Sequence, residues 1–521
     1  MQQPRRRVAG LIRRPTREQL LEVGALEHLS LTPSEVEAFG SALDQVLAAV
    51  DRLDDIPPVS VRPSGSRDAG SVPDEIDDPF HAFTRRCRVN ERGDGPLAGM
   101  TLAVTDSLSV AGIPITNSSR TLSFVPSTDA VVVERILAAG VTITAKTNLD
   151  DLSLPGTGLA SWLGPTLNPR DLERSAGGSS GGAAAAVASG AVDASLAVDQ
   201  SGSARVSASF TGLAAHKPTH GLVPVHGLAQ VDTTSAAITP IAATVREVAR
   251  ILDVISGDSD RDPQWVRAIP EQTSATSALN ESVAGLRIGL VAEALDGAPD
   301  DVRDAIDEAC EALTSAGAEI VQVSVPLWTD GIAIAIALSM QGNWLGAQSD
   351  GTGYAHGGEI DVERTHAFGL TRQLEADSFP PLLKLWMIGG RYLRDNYFSA
   401  YTAKAANARR ALRDSVDTAL REVDLLLTPT TPRSAPRFDD IAPSDSSALA
   451  AIWTDELHTS VTSLTGHPSS VVPIPASPLS LSVQFVARPW ADAVGLRAAA
   501  AVENHFAPHE SVPTMSLRLV E

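Results

Sequence analysis

Two serines in glycine-rich frames are the residues of this chain best suited to chemistry. Ser179 sits in Gly177-Gly178-Ser179-Ser180-Gly181-Gly182, which runs directly into Ala-Ala-Ala-Ala-Val. Ser203 follows 24 residues later in Asp199-Gln200-Ser201-Gly202-Ser203-Ala204-Arg205. A serine hydroxyl becomes a nucleophile when a neighbour takes its proton, and glycines let backbone amides approach a reacting carbonyl. Other readings of the first frame are disfavoured by its flanks. A flexible linker would not run unbroken into a helix-forming alanine tract, and a phosphate loop would end in Gly-Lys-Ser/Thr. Gly178-x-Ser180-x-Gly182 also matches a nucleophile elbow. That elbow follows a buried strand, whereas the preceding residues here are Asn168-Pro169-Arg170-Asp171-Leu172-Glu173-Arg174.

Together the two frames resemble the amidase signature family, serine hydrolases that use a Ser-Ser-Lys triad. Lys146-Thr147-Asn148, Gly164-Pro165-Thr166-Leu167-Asn168-Pro169 and His216-Lys217-Pro218-Thr219 look like further landmarks of that family. So do Asp424 to Pro429, Thr465-Gly466-His467-Pro468 and Gln484-Phe485-Val486-Ala487-Arg488-Pro489, and the likeness spans roughly residues 80 to 505. The Asp199-Gln200 pair and the helical N-terminus look closest to bacterial acylamidases of the Rhodococcus type. The resemblance implies an α/β fold, an α/β/α sandwich around a central mixed β-sheet. It implies that Ser203 attacks a carboxamide carbon and that Ser179 bridges it to a lysine, through a cis Gly178–Ser179 peptide. It also implies an oxyanion hole made by the amides of Gln200, Ser201, Gly202 and Ser203.

The family's lysine stands in a Val-Lys-Asp-Asn context, and here the segment reads Ala103-Val104-Thr105-Asp106-Ser107. Threonine cannot accept a proton near neutral pH and is too short to reach the place of the ammonium. Losing a general base costs about 10²–10⁴ in rate. The chain has four lysines, Lys146, Lys217, Lys384 and Lys404, and two of them still stand at family-matching positions. Ser201 replaces a family glycine, where a backbone with φ > 0 would disfavour a side chain. Ser207, Thr211, Ala236, Thr239 and Ala243 replace the family's proline, cysteine, aspartate, glycine and arginine. His220, His226 and Lys146 are the candidates for a substitute base.

The elements that position these residues fall into blocks. The first ~55 residues read as a helical appendage, with capping boxes at Thr16/Gln19 and Thr32/Glu35. Residues 56–79 collect Pro, Gly, Ser and Asp and read as a linker to a core over 80–521. Strands are expected at 101–105, 141–145, 286–292, 318–324, 424–428 and 481–487. Helices are expected at 129–139, 182–189, 244–256, 300–315 and 399–422, an alternation that argues a layered α/β fold. Residues 330–398 are less regular and read as a variable cap over a pocket.

Composition limits the partners. A net charge of −22 argues against nucleic acid or an anionic membrane as the main partner. Only 4% of residues are aromatic, so Ala, Val, Leu and Ile must build the core. Cys87 and Cys310 read as two buried free thiols of a reducing compartment. No signal-peptide h-region and no run approaching the ~20 apolar residues of a membrane span is found, so a cytoplasmic location is expected. No His, Cys or carboxylate cluster has metal-ligand spacing, and neither a metal nor another cofactor is expected.

The expected partner is a small-molecule amide or acyl substrate, with a homodimer as an option that the resemblance raises. Three functions stay open: a hydrolase or acyl transferase acting through Ser203 with impaired or rewired proton transfer, a non-catalytic amidase-fold binding protein, and a biosynthetic catalyst of cyclisation or rearrangement in the same pocket.

Overall fold

Runs of Ala, Val, Leu and Ile form strands that are covered on both faces and so lack a polar side. The computed structural model describes residues 12–56, 63–154, 156–229, 235–264, 269–352, 358–441, 453–475 and 479–507. Its strands are β1 (Ser66–Ser71), β2 (Phe83–Asn90), β3 (Thr101–Thr105), β4 (Thr142–Thr147), β5 (Leu167–Asn168), β6 (Asp171–Ser175) and β7 (Ala194–Asp199). They continue as β8 (Ala214–Lys217), β9 (Ala237–Ala242), β10 (Arg287–Val291), β11 (Glu319–Val323), β12 (Leu425–Pro429), β13 (Ser469–Ile474) and β14 (Leu481–Ala487). All but the β5–β6 pair join one 12-stranded sheet in the order β1-β2-β4-β3-β7-β9-β8-β13-β14-β12-β10-β11. The sheet is mixed: β3 runs parallel to β4 and β7, and β10 parallel to β11 and β12, while β7–β9 and β13–β14 are antiparallel.

The chain divides into two compact units, Met1–Arg62 and Pro63–Glu521. In the first, α1 (Arg17–Leu26) and α2 (Pro33–Asp51) open with the expected capping boxes, Thr16 with Gln19 and Thr32 with Glu35. In the second, side chains alternate along β3 with the strand period of two. Leu102 and Val104 join a core with Val132 and Ile136 of α3 (Val131–Ala138), whereas Ala103 joins Ala183 to Ala186 of α4 (Gly181–Ala188). Helices therefore cover both faces, the α/β/α arrangement that the sequence resemblance implies. The alternation places Thr105 on the α4 face.

Two sequence expectations change. The segment read as a linker supplies β1, which pairs antiparallel with β2 at the edge of the sheet. An edge strand needs only backbone pairing on one side, so Ser, Asp and Gly suffice and give no apolar signal. The irregular 330–398 stretch is largely helical, over Gly331–Gln348, Val362–Glu375 and Pro381–Tyr397. The first of these is apolar nearly all round and has no amphipathic period to read. Cys87 is buried as expected, while Cys310 is only half-buried.

Candidate active site

β7 delivers the chain to the site. After Asp199 it turns through Gln200, Ser201 and Gly202 into α5 (Ser203–Thr211). Gly202 takes φ of +147°, and a Cβ there would stand 1.9 Å from Thr459 Oγ1, so only glycine fits. The strain expected at Ser201 is not found, because the positive φ falls one residue later, on Gly202. Ser203 is the first residue of α5, and the Val206 amide donates to the Gly202 carbonyl at 2.8 Å. Amides at such a helix start lack intrahelical acceptors and carry the positive end of the helix dipole.

Ser179 arrives from the loop before α4, across a cis Gly178–Ser179 peptide. Its Oγ donates to Ser203 Oγ at 3.2 Å, with both serines buried. Gly178 has no room for a side chain: a Cβ would lie 2.3 Å from the Gly158 nitrogen and 2.6 Å from Asp150 Oδ2. Ser180 Oγ donates to the Val198 carbonyl at 2.8 Å and ties the two serine frames together. Beneath Ser203 lies a fully buried ion pair. Arg205 Nε and Nη2 donate to the two oxygens of Asp199 at 2.8 and 2.9 Å. The same guanidinium reaches Ser463 Oγ at 2.7 Å and the Thr459 carbonyl at 3.0 Å. These contacts fix the Gln200–Gly202 turn from both ends.

Comparisons with known proteins bear on the family and the fold. The profile of the family described as Amidase matches residues 81–496. The chain belongs to the amidase family. It is 34% identical over 485 residues to a glutamyl-tRNA(Gln) amidotransferase subunit of Carboxydothermus hydrogenoformans, covering 91% of this chain and 96% of the relative. The same-named protein of Natronomonas pharaonis is 38% identical over 355 residues, covering 68% of this chain and 83% of its own. Among solved structures, the same-named protein from Thermotoga maritima superposes with a TM-score of 0.68 at 29% identity, covering 82% of this chain and 88% of its own. A 6-aminohexanoate cyclic dimer hydrolase reaches a TM-score of 0.69 at 22% identity over 79% of this chain and 86% of its own, a likeness of fold.

The position that the sequence reading set against the family's lysine carries a hydroxyl. Thr105 ends β3, buried, with Oγ1 3.1 Å from Ser107 Oγ. Among the described residues no hydrogen bond joins it to Ser179. Its register neighbour on β4 is Thr147, whose Oγ1 is buried without a described partner. Ser207 Oγ and Thr239 Oγ1, at two other departures from the family pattern, are likewise buried and unpartnered among the described residues.

None of the three substitute bases read from the sequence reaches the serines. Lys146 pairs in register with Val104 and therefore points to the opposite face from Thr105. Its Nζ donates to the Leu108 carbonyl and lies 3.9 Å from Asp106 Oδ1. Burial pulls its pKa down. His226 faces Glu359 Oε2 at 3.5 Å in a different cavity, and burial drives its pKa down to about 3. His220 is half-buried, with a pKa of about 4 set by desolvation and then by Arg409, and it does not line the cleft that holds Ser203.

That cleft is a small one, lined by Ser203, Gln200, Ser201, Asn343, Trp453 and Glu456 among others. Sequence reasoning passed over Glu456, as it passed over the roles of Asp199, Arg205 and Asp150. Asp199 and Arg205 share the nucleophile's own frame, and their opposite charges were a signal that could have found them. Glu456 lies 253 residues beyond Ser203 and carries no local pattern. Asp150 is buried and accepts the amides of Thr157, Gly158 and Ala160 at 2.9, 2.8 and 2.8 Å, yet burial still raises its pKa to about 7. Among the described residues no group of three or more His, Cys, Asp or Glu is placed to hold a metal ion, and no helix is long and apolar enough to cross a membrane.

Proposed function

We propose that this protein breaks a C–N bond by acyl transfer to Ser203, with proton transfer that differs from the family's lysine route. The observation that carries the reading is the 3.2 Å hydrogen bond from Ser179 to Ser203 at the start of α5. A carboxamide seated over Ser203 would place its developing oxyanion against the amides of Gln200, Ser201, Gly202 and Ser203. Ser203 Oγ bonds to the carbonyl carbon and its proton passes to a neighbouring group. The C–N bond then breaks as the leaving nitrogen gains a proton, and water or an amine takes the acyl group.

The relatives' name, which makes each of them part of an amidotransferase, supports transfer beside hydrolysis and a protein partner beside a small-molecule amide or acyl substrate. The test is turnover of a panel of aryl and alkyl amides, with hydroxylamine as an acyl acceptor, by wild type and Ser203→Ala. Turnover lost in Ser203→Ala supports the reading, and turnover that survives it contradicts the reading. A second reading, an amidase-fold binding protein without catalysis, is favoured by the pairing of Thr105 with Ser107 in place of Ser179.

A further inference from the structure

We propose that Glu456 carries out the proton transfer for which this chain has no lysine, accepting the Ser203 proton across the cleft and delivering it to the leaving nitrogen. The inference rests on the reading of Ser203 as the nucleophile. Among the described residues lining the cleft, the others with polar side-chain atoms are serines, Gln200, Asn343 and Trp453, none of which is a base near neutral pH. Glu456 is the carboxylate in that wall. Its Oε1 lies 2.8 Å from where a Cβ on Gly156 would stand, and the Gly178 carbonyl lies 3.6 Å from the same point. The carboxyl group and the carbonyl of the peptide that carries Ser179 thus both pack around Gly156, in the wall of the cleft that Ser203 also lines. A side chain at 156 would displace the carboxyl group.

The environment of Glu456 suits the task. It is 5% exposed, and no side-chain hydrogen bond from a described residue consumes its oxygens. Burial raises its pKa to about 8, aided by Asp199 at the end of β7, and further by Asp455 beside it and Asp150 after β4, while Arg205 of α5 opposes the rise. A carboxylate of that basicity is matched to proton transfer at neutral to mildly alkaline pH, where an ordinary one is too weak a base. The step balances. Glu456 gains the proton as the Ser203 Oγ–carbon bond forms, and loses it to nitrogen as the carbon–nitrogen bond breaks. Water repeats the cycle to release the acid. Lys146, held on the other face of the sheet, cannot compete.

The experiment measures the rate at which a fluorophosphonate modifies Ser203, by intact mass, from about pH 5 to about pH 10. Phosphonylation needs the base but no acid on the leaving fluoride, so it isolates the first half of the cycle. Wild type is expected to react faster as pH rises, with an inflection near 8 where the carboxyl ionises. Glu456→Gln is expected to react roughly 10²-fold more slowly and without that inflection. Adding Thr105→Lys to Glu456→Gln is expected to restore the rate, which a merely structural role for Glu456 would not allow. Glu456→Asp keeps the charge but withdraws it by one methylene, and is expected to be slower yet still pH-dependent. Glu456→Gln or Glu456→Asp reacting at the wild-type rate with the wild-type profile overturns the proposal and leaves the Ser203 reading standing. A wild type that stays unmodified at every pH overturns both.

Discussion

At the start of α5 and at the end of β3, the same site has been built in two different ways. Ser203 rests on the buried Asp199–Arg205 pair, on Gly202 at φ +147°, and on hydrogen bonds that reach the helix Thr459–Thr465. The Thr105 side chain makes a single hydrogen bond, to Ser107, while its backbone pairs in the sheet. The Ser203 region, proposed as the nucleophile half, is held by buried charge and constrained backbone, whereas at position 105, proposed as the base half, the side chain makes one hydrogen bond. On this reading a substitution at 105 is expected to alter chemistry more than it disturbs the sheet.

Breaking the nucleophile half gives the largest effects. Ser203→Ala is expected to remove the acylation reaction, a loss that in cooperating serine triads approaches ~10⁶ in kcat. Amide turnover or active-site labelling reads it, and substantial residual turnover would count against Ser203. Next comes the ion pair beneath it. Arg205→Ala leaves Asp199 buried and uncompensated and is expected to destabilise the fold by about 3–5 kcal/mol in urea titrations. A loss below about 1 kcal/mol would mean that water or neighbouring hydroxyls replace the guanidinium.

Lys217 sharpens the picture of that support. Burial, then Arg205, lowers its pKa from 10.5 to about 7. Between those values the unfolded chain binds the extra proton, so this residue's contribution makes stability rise with pH from about 7 to 10.5. Lys217→Met is expected to flatten the slope, as seen in denaturation curves at neutral and alkaline pH. An unchanged slope would place the alkaline dependence elsewhere. The smallest effect is expected in the base half. Thr105→Val removes one hydroxyl hydrogen bond and should cost about 1 kcal/mol or less in the same titrations.

Much of the architecture was legible in the sequence because it rests on local signals. Thr32-Pro33-Ser34-Glu35 announces the start of α2, and the expected strand over 101–105 and helix over 300–315 match β3 and Asp300–Ser315. The serine frames, whose Ser179 and Ser203 do meet at 3.2 Å, were readable for the same reason. β1 was not, since an edge strand of Ser, Asp and Gly looks like a linker. Nor was the helix Gly331–Gln348, whose apolar residues surround it. Glu456 was hidden by distance: it reaches the cleft only through the packing of segments far apart in the chain. The failure of Lys146 as a base was hidden by register, because one residue along β4 decides which face of the sheet a side chain occupies.

The central claim is that Ser203 remains a working nucleophile in a chain without the lysine. The most direct measurement is intact mass and peptide mapping after fluorophosphonate treatment of wild type, Ser203→Ala and Thr105→Lys. The account predicts a single adduct on wild type, mapped to Ser203, absent from Ser203→Ala and formed faster in Thr105→Lys. An adduct that forms only on Thr105→Lys would contradict it, and would mean that the loss at position 105 silenced the serine.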